Sequence, residues 1–311
     1  MKNHIAMRSL VLCAVVSPLA LSGCADSEPA PTQTLDVTGQ TEATITSTTL
    51  LPGDTVVDHD VSAVVPDRGE GVLAIGDLAA GGAETLGIET GADGSVTITR
   101  GTPAADAAAC HSAAACDDPA FSLEHHKWTT EFKWFFDAGS TPRANNTDSV
   151  EARLRSAAHN TSTGHNDCGI SPHLGSSAAY QGRTNEAPNV TSRGGCARRS
   201  GHNVVGFGGL PSPLLADTCI WWRISDQHLL EADTRINSNV QWYATDSVPN
   251  GCSNSFGIEP VMTHEFGHSF GLAHVNECHH GKLTMSPIID PCNDSASTLG
   301  LGDIKGMQQM Y

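Results

Sequence analysis

The sequence predicts an α+β fold in which a mixed sheet is joined by few helices, one long and one carrying the chemistry. Three observations carry that expectation. Trp128, Thr130, Phe132, Trp134 and Phe136 alternate with polar residues, the period of a half-buried strand. Val150, Leu154, Ala157 and Ala158 fall on one face at helical spacing. Short apolar runs at Asn203 to Phe207, Thr218 to Trp222 and Leu230 to Ile236 supply further strands.

Taken in chain order, Lys2 and Arg8 precede an apolar run from Leu10 to Leu21. It is too short for a permanent membrane span but right for the core of a signal peptide. The run ends in Leu21-Ser22-Gly23-Cys24, which resembles a bacterial lipobox, so residues 1–23 are expected to be a signal peptide and Cys24 the lipidated first residue of the mature chain. The protein would then be exported and lipid-anchored at the cell surface, or secreted if processed.

Residues 24–54 are rich in Thr, Pro, Ala and Ser and poor in large apolar groups, and they read as a disordered tether. From residue 55 to 109 short β-like runs alternate with Gly and Asp turns in an acidic background, which suggests a β-rich pro-segment or spacer. The alanine-rich stretch Ala104 to Ala115 marks the boundary, and a second domain is expected over 110–311. There Asp148 and Glu151 resemble a capping box that opens a helix over about residues 148–159.

The formal charge of −17 is uneven, with 14 acidic against 2 basic residues between positions 25 and 109. Nucleic acid is excluded as a partner on that ground, because the sole tight basic cluster is Arg198-Arg199, read as a solvated loop. Eight cysteines remain beyond Cys13 and Cys24, an even number that in an exported chain favours up to four disulfides. Pairing in chain order is the expectation.

The densest chemistry lies in HEFGHSFGLAH, His264 to His274. Histidines four apart on a helix project side by side, so His264 and His268 can share one ion, with Glu265 beside it to take a proton from a bound water. Gly271 can enter the left-handed conformation that ends a helix, and the chain then turns so that His274 supplies a third ligand. HExxH alone is a weak signal; the extended HExxHxxGxxH is far more specific.

With these residues the chain resembles the metzincin zinc endopeptidases, and within them the matrixin-like bacterial proteins. The resemblance covers about residues 117–311 and implies a metzincin-like catalytic domain with one catalytic Zn2+. It also implies hydrolysis of peptide bonds in extracellular protein or peptide substrates, by a chain expected to be monomeric. Met285, eleven residues after His274, matches the methionine turn beneath the metal, and Pro287, Ile288 and Ile289 would wall the substrate pocket. The tyrosine matrixins place in that turn is replaced by Ser286. Gly208 to Thr218 would form the edge strand against which an extended peptide lies. Calcium would fall to Asp217, Asp226 and Asp233, which read more simply as surface acids. His279 and His280 read as solvated.

Matrixin pro-segments often block the metal with a cysteine, and residues 25–109 contain none. Ala74-Ile75-Gly76-Asp77 has a weak likeness to the aspartate blocking motif FxGD of astacins but lacks its phenylalanine, and is read as a Gly-Asp turn between strands. The alternative function is a non-catalytic surface module that keeps structural zinc and binds peptides; an intact Glu265 argues against it.

Overall fold

In the computed structural model the described residues are 32–40, 42–78, 83–101 and 112–311. The signal peptide, Cys24 and Cys110 lie outside them. Strands β1 (Thr34–Asp36), β2 (Thr44–Ser47), β3 (Thr55–Asp58), β4 (Val61–Val64), β5 (Glu70–Leu78), β6 (Ala83–Thr90) and β7 (Val96–Gly101) build the N-terminal part. Then follow β8 (Ser122–Leu123), β9 (Phe132–Asp137), helix α1 (Thr147–Thr163), β10 (Ala178–Thr184), β11 (Asn203–Gly208), β12 (Leu214–Arg223) and β13 (His228–Asn237). The chain closes with β14 (Trp242–Tyr243), β15 (Phe256–Gly257), α2 (Ile258–Ser269), β16 (Leu272–Ala273), α3 (Glu277–His280) and α4 (Leu301–Met310). No helix among the described residues is long and apolar enough to cross a membrane.

One nine-stranded sheet in the order β10-β9-β11-β13-β12-β5-β6-β7-β2 runs through both parts. The pairs from β10 to β13 are parallel, and every pair from β13 to β2 is antiparallel. The sheet separates two apolar cores. On one face Phe132, Trp134, Phe136, Ile220 and Trp222 pack with Val150 and Leu154 of α1 and Val261 and Phe266 of α2. On the other, Val72, Ala74, Leu86, Ile88, Cys219 and Trp221 pack with Val56, Val61 and Ala63 of the small sheet β1-β3-β4.

Several expectations change. Part of the expected tether is structured: Val37 and Leu50 are buried, and β1 and β2 pair with β3 and β7, because two apolar side chains suffice once neighbouring strands provide a surface. The helix opens at Asn146, whose Oδ1 accepts from Ser149 N at 2.9 Å, rather than through a box of Asp148 and Glu151. Both of those acids turn to Arg183 instead. The helix runs on to Gly164, a left-handed cap with φ of 71°. The strand expected from Trp128 begins at Phe132, with Thr130 exposed.

The disulfides do not follow chain order. Cys116 joins Cys168, Cys196 joins Cys219 and Cys252 joins Cys292, and Cys278 is also disulfide-bonded. Cys116–Cys168 and Cys196–Cys219 each join consecutive cysteines but are offset by one from the expected pairs, and Cys252–Cys292 passes over Cys278. Arg198 and Arg199 do lie in an irregular segment, with Arg198 exposed, and they pair with Asp67 at 2.9 Å and with Glu70 at 2.6 Å.

Candidate metal centre

Helix α2 is buried along almost its whole length, and His264, Glu265 and His268 project from it into the core. The helix ends at Phe270. Gly271 follows with φ of 88°, and a Cβ there would come within 2.2 Å of the His126 carbonyl oxygen, so both conformation and space demand glycine. The carbonyls left over at this helix end are satisfied from outside, Trp128 Nε1 donating to Ser269 O at 2.8 Å and Tyr311 Oη to Phe270 O at 3.1 Å.

The turn delivers His274. Its Nε2 lies 3.1 Å from His264 Nε2 and 3.0 Å from His268 Nε2, and those two are 3.1 Å apart. His264 Nδ1 donates to Thr284 O at 2.6 Å, and His268 Nδ1 donates to Leu272 O at 2.9 Å. A carbonyl oxygen can only accept, so the Nδ1 protons are fixed, and in the neutral rings both Nε2 atoms present lone pairs towards one another. Burial, followed by the nearness of His274, lowers the His268 pKa to about 4, which keeps that ring neutral. Converging lone pairs at this separation repel unless a cation lies among them. The spacing approaches the roughly 3.3 Å between ligands of a tetrahedral zinc with bonds of about 2.0–2.1 Å. The donor set fits zinc.

A fourth group completes the cluster. Asp77 lies inside strand β5, not in a turn, and its Oδ1 is 2.7 Å from His274 Nε2. Its Oδ2 stands 3.5 Å from His264 Nε2 and 3.6 Å from His268 Nε2. Ligand atoms of Asp77, His264, His268 and His274 all lie within 4.8 Å of one another, the arrangement of a metal site. Although burial alone would raise it, proximity to His274 and His264 holds the Asp77 carboxyl well below its ordinary range. The same carboxylate acts in reverse on His264: burial opposes the charged ring, but Asp77 outweighs it and raises that pKa. Glu265 is wholly buried, and burial together with the charge of Asp77 pushes its carboxyl well above the usual range. Thr218 Oγ1 donates to Glu265 Oε2, while Oε1 has no partner.

Beneath the cluster Met285 packs against Gly267, where a Cβ would meet its sulfur at 2.2 Å, so the turn fits only under a glycine. Asp303 of α4 holds the turn by accepting from Thr284 N at 2.9 Å and Met285 N at 3.2 Å. Thr284 in turn orients His264. The roles of Gly267, Asp303 and Thr218 were missed by sequence reasoning. Gly267 lies within the motif and Asp303 within the closing segment, but only their neighbours in space reveal what they do.

Ile288 and Ile289 line a cavity of about 60 Å³ with Leu283 and Thr284, and Pro287 stands half-buried beside it. The calcium expectation finds no support. Asp217 accepts from Gly195 N and Asp233 from Asn189 and Val204, while Asp226 pairs with Arg223 at 2.9 Å. Burial pushes the Asp217 carboxyl up to about 7. His279 is exposed as expected, but His280 contacts the buried Asp118 at 2.9 Å. The segment Gly208 to Thr218 supplies the start of β12, which is not an edge because β5 covers its outer side.

The matrixin family model matches residues 128–311, well over half of the chain, and spans α1, β9 to β13, the histidine helix and the methionine turn. No curated protein matches the chain. With the three histidines, the glycine turn and the supporting methionine all inside the matched region, the chain belongs to the matrixin family of metallopeptidases.

Proposed function

We propose that the protein is a zinc-dependent endopeptidase in which His264, His268 and His274 hold the ion and Glu265 is the general base. The observation that carries this reading is the convergence of three Nε2 atoms, two with tautomers fixed by carbonyls, directly beside a buried carboxylate. Bound zinc supplies Lewis acidity, polarising the scissile carbonyl and lowering the pKa of water towards about 7.

The chain's own groups do the rest. The Thr218 hydroxyl fixes Glu265 Oε2, leaving Oε1 to accept the proton of the attacking water and return it to the departing amide nitrogen. The side of β12 that β5 occupies would offer main-chain hydrogen bonds to an extended peptide once β5 leaves it, and Ile288 and Ile289 offer apolar surface to the residue after the cut. Substrates are therefore unfolded or extended segments of extracellular proteins. The lipobox-like Leu21-Ser22-Gly23-Cys24 supports export and a lipid anchor on Cys24, with the enzyme working as a monomer at the cell surface.

The test uses protein with Asp77 replaced by alanine, so that the β5 carboxylate no longer faces the histidines. Incubated with a peptide library, it should cut in a chelator-sensitive way, and adding Glu265→Gln should reduce the rate about 10²–10⁴-fold while zinc content stays at one per chain. Equal rates with and without Glu265 would remove the mechanism.

A further inference from the structure

Strand β5 lies antiparallel along β12 from Glu70 opposite Arg223 to Asp77 opposite Ala216, with Leu78 opposite Leu214. It occupies the strand edge on which an extended substrate would pair. Its side chains alternate as a bound peptide's would. Val72 and Ala74 face away into the second core, while Leu73 and Ile75 face the catalytic core and Asp77 ends the same row at the histidines.

The N-terminal part is fastened at points remote from the metal. Arg199 grips Glu70 through two hydrogen bonds of 3.0 and 2.6 Å. Cys196 exchanges backbone hydrogen bonds with Ser62 at 2.7 Å and Val64 at 2.9 Å, and Ser62 Oγ donates to Gly194 O at 3.1 Å. Both carboxylate oxygens of Asp77 are buried, and they face the histidine cluster and the equally buried Glu265. Leaving an acid so placed is costly unless a cation shares it.

We propose that Asp77 is the fourth ligand of the metal held by His264, His268 and His274, and that residues 32–101 form an intramolecular inhibitor that lays β5 in the substrate position. This rests on the peptidase reading for its meaning but not for its test. No cysteine is needed to keep this site closed. Activation requires β5 to leave β12, because the carboxylate and the strand block together.

The experiment uses the full chain loaded with Co2+, whose visible absorption reports the ligands, and titrates acetohydroxamate, a small bidentate probe of an open coordination position. Asp77→Ala should change the spectrum and bind hydroxamate at least about a hundredfold more tightly than wild type, as expected if the competent form is about 1 % or less of the unaltered protein. Asp77→Asn, which preserves the shape of β5, should fall between and guards against loss of fold. Peptide cleavage should rise at least tenfold in Asp77→Ala. Identical spectra and hydroxamate affinities in all three proteins, or no metal in any, would overturn the proposal. Tighter hydroxamate binding without any peptide hydrolysis would support the ligand role of Asp77 and sink the peptidase reading instead.

Discussion

Replacing Gly271 by alanine tests the geometric heart of the site. The new Cβ would be held at φ of 88° and 2.2 Å from the His126 carbonyl oxygen, with Met310 Cε at 3.0 Å. The conformation costs about 1–2 kcal/mol for a residue with a side chain. Relieving a backbone contact in a packed interior adds roughly 1–3 kcal/mol. A total near 3 kcal/mol corresponds to a Tm lower by about 6–12 °C for a chain of this size. Gly201 provides the control, since its φ is 93° but nothing lies within 4 Å of its Cβ position. Gly201→Ala should therefore show only the conformational part, about 2–8 °C. Because relief of the clash moves the turn that presents His274, Gly271→Ala should also weaken zinc binding about 10–100-fold in a chelator competition, and Gly201→Ala should not. If the two variants melt together and hold zinc equally well, the argument that this glycine positions the third histidine is wrong.

Met285→Ala empties the space under Gly267 and should cost about 2–5 kcal/mol in denaturant unfolding, with weaker metal retention; an unchanged midpoint would show the turn to be dispensable. His126 is buried against Trp222, the rings 3.9 Å apart, and burial lowers its pKa from 6.5 to about 4. The unfolded chain then takes up this proton at a higher pH than the folded one. Stability from this group is thus full above pH 6.5 and declines towards pH 4, by up to about 3 kcal/mol, and His126→Gln should flatten that part of the stability profile relative to wild type. Removing the Cys196–Cys219 link, which spans 23 residues, should cost about 3 kcal/mol in thermal or denaturant unfolding, whereas serine at both positions with no loss would place the link outside the folded-state energetics.

What could be read before the fold was known follows from the range of the interactions. The histidine motif is local: one helix turn and one glycine bend fix His264, His268 and His274, so spacing alone was sufficient. The strands at 203–208 and 228–237 also announced themselves, because residues buried between neighbours in a sheet are apolar by necessity. Asp77 was illegible for the opposite reason. A Gly-Asp pair is a common turn, and its meaning comes from pairing with β12 some 140 residues later and from histidines nearly 190 residues away. The disulfides and the grip of Asp303 on the methionine turn depend on tertiary contacts in the same way. The helix start failed for a smaller reason: Asn146, Asp148 and Glu151 all suit the first turn, and Arg183 on β10 drew the two acids away.

Strand β12 reads Leu-Leu-Ala-Asp-Thr-Cys-Ile-Trp-Trp-Arg, with nine of its ten residues buried. Once β5 departs, the side of that strand turned away from β13 stands open, with Trp221 and Trp222 near its end. Such an edge recruits other strands, including those of identical neighbours. The N-terminal strands therefore guard solubility as well as chemistry. A gene trimmed to begin after them should yield clumped protein, while the same cut made after folding should leave a peptidase whose groove is promptly capped by its next substrate.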